Sequence, residues 1–159
     1  MQPAVRSAPG AQQVADAMRR AKQHRDNGEL RQAERLCMRI LSRDPDNAQA
    51  LFMAGTLSLD VDDPLLAIQF FSRVVEKQPK SAEANVGLAR TYEQMRDYEE
   101  AIKHFKRALA VKPDLVEAMR GLGRCYTSSG KANLALPLFE KALRHSPDHG
   151  PARFDNSRA

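Results

Sequence analysis

The chain has 159 residues, 42% hydrophobic and 28% charged, with a formal net charge of +5 and no tryptophan. That length supports a sizeable buried core, and the charge is mildly basic, compatible with an acidic partner but weak evidence for nucleic acid. Two cysteines, Cys37 and Cys125, have no paired spacing, which argues against a disulfide framework and for a reducing, cytoplasmic setting.

Residues 1–10 read as a disordered leader rich in Pro, Ala and Ser. They contain no apolar stretch of the kind a secretory signal needs, and no run of about 18 apolar residues follows that could span a membrane. From Ala11 onward helix formers dominate, and a fixed period appears. Pro45, Pro79, Pro113 and Pro147 are each 34 residues apart. Ala33, Ala67, Ala101 and Ala135 keep the same step, as do Cys37, Phe71, Phe105 and Phe139. Such a period marks a solenoid built by stacking one supersecondary unit.

Each unit splits into two apolar helical patterns. In the third unit the first helix is predicted over 82–95 and the second over 98–111. In the second, Ala101, Ile102, Phe105, Ala108 and Leu109 form one stripe at helical spacing. Pro113 then stops the helix. Asn27-Gly28 and Ser129-Gly130 supply left-handed residues at a helix end, whereas Asp62-Asp63-Pro64 looks like a different device, with Asp63 as cap and Pro64 in the first turn. Pro137 lies near the start of the last helix and predicts a slight distortion there, without a break. No segment alternates like a strand.

These residues resemble the tetratricopeptide repeat family. The fourth unit carries Met119, Leu122, Gly123, Tyr126, Gly130, Ala135, Phe139, Ala142 and Pro147 in the family's pattern. The third carries Leu88, Ala89, Tyr92, Ala101, Phe105, Ala108 and Pro113. The second matches through Leu51, Ala54, Gly55, Ala67, Phe71 and Pro79, with Ser58 where an aromatic belongs, and the first is the weakest match. Asn85 stands where the family places a large apolar residue. The resemblance implies an all-α, right-handed α-solenoid of four antiparallel helix pairs. Its repeats would cover 14–47, 48–81, 82–115 and 116–149, inside a domain of 11–149. The tail, 150–159, resembles the start of a further repeat or a capping helix, as in a piece of a longer protein.

The family's inward-facing positions map here onto Arg19, Lys22, Phe52, Met53, Thr56, Arg90, Arg120 and Arg124, with Arg25, Asp60, Glu83, Glu93 and Glu117 among the others. They predict a basic groove with an apolar shelf at Phe52 and Met53, which have no evident core role. Gly87 and Gly121 would leave room for a peptide backbone. Arginine pairs a carboxylate bidentately, so the expected ligand is an extended acidic segment of another protein. The plainer reading is a solvated helix face on which Glu83, Glu93 and Glu117 neutralise the arginines. The Lys and Asn clamp by which some arrays hold chaperone C-termini is not matched, since Met18, Lys22, Met53, Glu83 and Gly87 stand at those positions.

No catalytic residues, metal site or cofactor are expected. Cys37 reads as a buried plug and Cys125 as a partly exposed thiol without an activating histidine; His24, His104, His145 and His149 are scattered. The function implied is a non-catalytic protein–protein interaction scaffold. The alternatives are the N-terminal domain of a larger enzyme, such as a transferase, and a structural solenoid that self-associates through its terminal helices. A nucleic-acid role lacks a basic stripe with interleaved aromatics.

Overall fold

The computed structural model describes residues 8–147; the first seven residues of the leader, Asp148, His149 and the whole tail, 150–159, lie outside them. Among the described residues there are eight helices and no strand: α1 (Ala11–Asp26), α2 (Leu30–Leu41), α3 (Ala48–Asp60), α4 (Pro64–Lys77), α5 (Ala82–Gln94), α6 (Tyr98–Val111), α7 (Val116–Ser128) and α8 (Ala132–His145). They form four consecutive pairs in which each helix packs on its successor: α1 on α2, α3 on α4, α5 on α6 and α7 on α8. The chain divides into two compact units, one ending at Pro79 and one beginning at Lys80.

The turn inside each pair is the same structure four times. Gly28 (φ +79°), Asp62 (φ 59°), Arg96 (φ 64°) and Gly130 (φ +77°) are left-handed and stand 34 residues apart. The next residue's N–H reaches back five places in each case: Glu29 to His24, Asp63 to Ser58, Asp97 to Tyr92 and Lys131 to Tyr126, at 2.7–2.9 Å. This is the hydrogen-bond pattern of a Schellman C-cap, which satisfies carbonyls that the helix end would orphan. Asp62 therefore does not belong to a different device. Asp63 does cap α4, accepting from the Leu66 N–H at 3.2 Å, but the left-handed turn before it is shared by all four pairs. Asn47, Ser81 and Asp97 cap α3, α5 and α6 in the same way as Asp63. Pro137 sits inside an unbroken α8, where it removes the helical donor to the Asn133 carbonyl.

In the first unit the buried residues include Met18 and Ala21 of α1, Cys37 and Ile40 of α2, Leu51 of α3 and Phe71 of α4. α3 also packs against both α1 and α2. Phe71 points at Gly55, where an added Cβ would lie 2.8 Å from its ring. Ser58, standing in an aromatic's place, is buried and donates its hydroxyl to the Ala54 carbonyl at 2.8 Å, so no polar atom is stranded.

In the second unit α7 packs against both helices of the preceding pair, and Phe105 is fully buried at the centre with Ala101, Ala108, Leu122 and Tyr126 around it. A Cβ on Gly121 would come within 2.2 Å of the Phe105 ring, and one on Gly123 within 2.7 Å of the Phe139 ring. Asn85 is fully buried rather than misplaced. Its amide N–H donates to the Ser81 carbonyl at 3.0 Å, and its side-chain oxygen faces His104 Nδ1 at 3.1 Å.

Candidate functional site

The first helix of each pair carries the residues assigned to the inward face. In the first unit these are Arg19 and Lys22 on α1, and Phe52, Met53 and Thr56 on α3. Arg19 and Lys22 are exposed, and Arg19 is bridged to Asp16 on its own helix at 2.8 Å. Phe52 and Met53 are half-buried. Phe52 does have a core role: its ring packs edge-on against buried Phe71, with centroids 5.5 Å apart and planes at 65°. Thr56 donates its hydroxyl to the Phe52 carbonyl at 3.0 Å. Phe52 therefore contributes to the core through one face of its ring, and Met53 beside it is half-buried.

What joins α1 to α3 on the polar side is a pair of inward-mapped residues that the sequence reading did not match to each other. Arg25 binds Asp60 through two N–H···O bonds, from Nε to Oδ2 and from Nη2 to Oδ1, the latter at 3.1 Å. This fork raises the Arg25 pKa above its ordinary value, chiefly through the Asp60 hydrogen bond.

The second unit repeats the arrangement between α5 and α7. Arg124 forks onto Glu93, with Nε–Oε1 at 2.7 Å and Nη2–Oε2 at 3.1 Å, and its pKa is raised by that hydrogen bond. Arg90 reaches Glu117 at 3.4 Å. Lys112 binds Glu83, whose pKa is lowered by the contact. Arg90, Arg120 and Arg124 are brought together: with Glu117, Val116 and Ser146 they line one open cavity of about 520 Å³. The carboxylates named in the plainer reading are therefore engaged, Glu93 and Glu117 with arginines and Glu83 with Lys112. These partners lie 35, 31, 29 and 27 residues apart, close to one repeat period, so the repeat register was the signal that could have found them.

The glycines behave differently from expectation. Gly121 is buried, and the space its missing side chain leaves is filled by Phe105 rather than open to a peptide. Gly87 is buried too, and its carbonyl accepts the Thr91 hydroxyl at 2.7 Å. Cys125 is fully buried, not partly exposed. Burial pushes the thiols of both Cys37 and Cys125 up to about 12, which keeps them protonated and unreactive. Among the described residues no group of three or more His, Cys, Asp or Glu is placed to hold a metal ion, and no helix is long and apolar enough to cross a membrane.

The stacked pairs, their 34-residue register and the repeated turn all point one way. A family model described as tetratricopeptide repeat matches residues 80–148, and one described as anaphase-promoting complex, cyclosome, subunit 3 matches residues 26–108, more than half of the chain and within the same run of repeats. The chain belongs to the tetratricopeptide repeat family. Among solved structures, this array is similar to MamA (23% identity, TM-score 0.74, covering 84% of this chain and 78% of that one). It is also similar to a fragment of MamA, residues 41 to the end, from Desulfovibrio magneticus RS-1 (18% identity, TM-score 0.74, 87% and 78%). A third is PilF of Pseudomonas aeruginosa (19% identity, TM-score 0.81), of which the array covers 63% while matching over 87% of its own length. At these identities the likeness is one of fold: an all-α array of the tetratricopeptide solenoid type. No curated protein matches the chain by sequence.

Proposed function

We propose that this tetratricopeptide array is a non-catalytic scaffold that binds an extended, acidic segment of another protein. Arg90, Arg120 and Arg124 of the second unit would take its carboxylates. Arg19, Lys22 and Thr56, with the exposed edges of Phe52 and Met53, would serve the same purpose in the first. The observation that carries the reading is the open cavity in which Arg90 of α5 and Arg120 and Arg124 of α7 converge, with Glu117 in its lining and Glu93 forked onto Arg124 beside it. The pairs already present do not forbid an exchange. Arg90 and Glu117 are about half exposed, and exposed ion pairs are worth only about 0–1 kcal/mol, so an incoming carboxylate can replace a resident one.

A labelled, proline-spaced glutamate peptide tests this. Glu93→Gln with Glu117→Gln frees the arginines and should tighten binding, while Arg90→Gln with Arg124→Gln should weaken it by roughly tenfold or more. Identical affinities in all three proteins would sink the proposal.

A second reading, self-association, rests on α8, where Leu134 (46%) and Leu136 (60%) are exposed. Light scattering across concentration would detect it, and a mass unchanged up to millimolar protein would rule it out.

A further inference from the structure

Among the described residues, three arginines without an ion-pair partner, Arg20, Arg39 and Arg43, lie off the inward face. On α1, Gln13, Asp16, Ala17 and Arg20 recur at i, i+3, i+4 and i+7, a different stripe from the buried Val14, Met18 and Ala21. On α2, Leu36, Arg39, Ile40 and Arg43 continue the same spacing past the helix end. The two stripes, closed at one end by Pro9, line a cleft of about 280 Å³. Its floor is apolar, made of buried Leu36 and Ile40 and half-buried Ala17; its rim is the exposed Arg20, Arg39 and Arg43.

The charge of this rim is not offset locally. Among the described residues no carboxylate pairs with Arg20, Arg39 or Arg43. Asp16, the one carboxylate lining the cleft, is already held by Arg19 at 2.8 Å and by the Gln12 amide at 3.1 Å. Arg25, Arg90 and Arg124, by contrast, each have a carboxylate. Three like charges around an apolar floor raise the local potential and favour an anionic ligand that also has something apolar to bury.

We propose that the α1–α2 cleft docks an acidic amphipathic helix of a partner protein, its apolar stripe on Ala17, Leu36 and Ile40 and its carboxylates on Arg20, Arg39 and Arg43. A helix fits because the lining residues form ridges at helical spacing, into which a third helix's side chains interlock. α3 already packs against both helices of this pair. The guanidinium forks give the bidentate geometry that carboxylates prefer. This cleft shares no residue with the α5–α7 cavity, so either can fail without the other.

The test uses the full isotope-labelled chain and a synthetic amphipathic peptide of about 18 residues, long enough to be helical, with leucine on one face and glutamate on the other. Amide shifts should cluster at residues 13–20 and 36–43, and binding should weaken as salt shortens the screening length from about 10 Å at 0.1 M to about 3 Å at 1 M. Arg39→Gln with Arg43→Gln should weaken it by roughly tenfold or more, with an unchanged circular dichroism spectrum and melting midpoint. Arg20→Gln alone should weaken it less, and Arg90→Gln not at all. The same peptide with lysine for glutamate should not bind. Absence of binding, shifts confined to other helices, indifference to the Arg39 and Arg43 changes, or equal binding of oligoglutamate or DNA lacking an apolar stripe would each overturn the proposal.

Discussion

The Nδ1 of buried His104 lies 3.1 Å from the side-chain oxygen of fully buried Asn85. The amide's orientation is set by its other end, which donates to the Ser81 carbonyl, so Nδ1 must carry the proton and donate. The ring stacks on Tyr92 at 5.7 Å, and its Nε2 faces Glu100 at 3.9 Å. Burial, with Arg107 and Lys103 nearby and only Glu100 opposing, lowers the His104 pKa below 6.5.

A depressed histidine pKa makes stability fall on the acid side. Above about pH 6.5 the ring is neutral in both folded and unfolded chains and its contribution is intact. As the pH falls through the interval below that, the unfolded chain takes the proton first and stability is lost, until the folded pKa is passed. Urea melts from pH 7 to 5 should show this slope, and His104→Gln, which keeps a donor but cannot titrate, should flatten it. An unchanged slope would remove His104 as its source. Asn85→Leu alone should cost about 1–3 kcal/mol, because it strands a buried N–H.

Gly121→Ala should destabilise even though alanine is the better helix former. The new Cβ would meet the fully buried Phe105 ring at 2.2 Å, and overpacking of this kind costs about 1–3 kcal/mol against a helix gain of about 1. Phe105→Ala should cost about 3–5 kcal/mol by opening a cavity. Combined with Phe105→Leu, Gly121→Ala should cost less than alone, and additive melts would mean the two residues do not touch.

Arg96→Gly should stabilise by about 0.5–1 kcal/mol, since it relieves a left-handed side chain at a position where two of the four turns already use glycine. Gly130→Ala should destabilise by about 1 kcal/mol for the converse reason. Equal and opposite shifts in denaturation midpoint are the expected signature, and no change in either would argue against a shared turn.

The ion pairs should rank by exposure. Side chains are 31% and 27% exposed in Arg25–Asp60, 51% and 22% in Arg124–Glu93, and 51% and 55% in Arg90–Glu117. Double-mutant cycles should give coupling energies falling in that order, with the last at about 0–1 kcal/mol and lost in high salt. A reversed order would show that geometry, not solvent screening, sets their strength.

The helix pairs were legible because Pro, Ala and Phe recur at one period, and periodicity survives without any knowledge of contacts. Gly28 and Gly130 announced their turns by residue type. Asp62 and Arg96 adopt the same backbone with side chains that do not advertise it, since the fold imposes the conformation on them. Asn85 looked like a flaw because its partner His104 is on another helix, 19 residues on. The arginines of the candidate groove and the glutamates Glu83, Glu93 and Glu117 were both placed by register, but which arginine forks onto which carboxylate is a matter of side-chain geometry that register leaves open. Arg39 and Arg43 escaped notice because they sit on α2 and just beyond it, on a second-helix face that a search for inward positions passes over.

The two buried thiols have a practical consequence. Cys37 lies in the first compact unit and Cys125 in the second, and both must leave the core before they ionise or meet a reagent. The rate at which a disulfide reagent labels each one is therefore a clock for the opening of its own half of the chain. Two equal rates mean that the halves breathe as one cooperative body, and two different rates give the order in which the array comes apart.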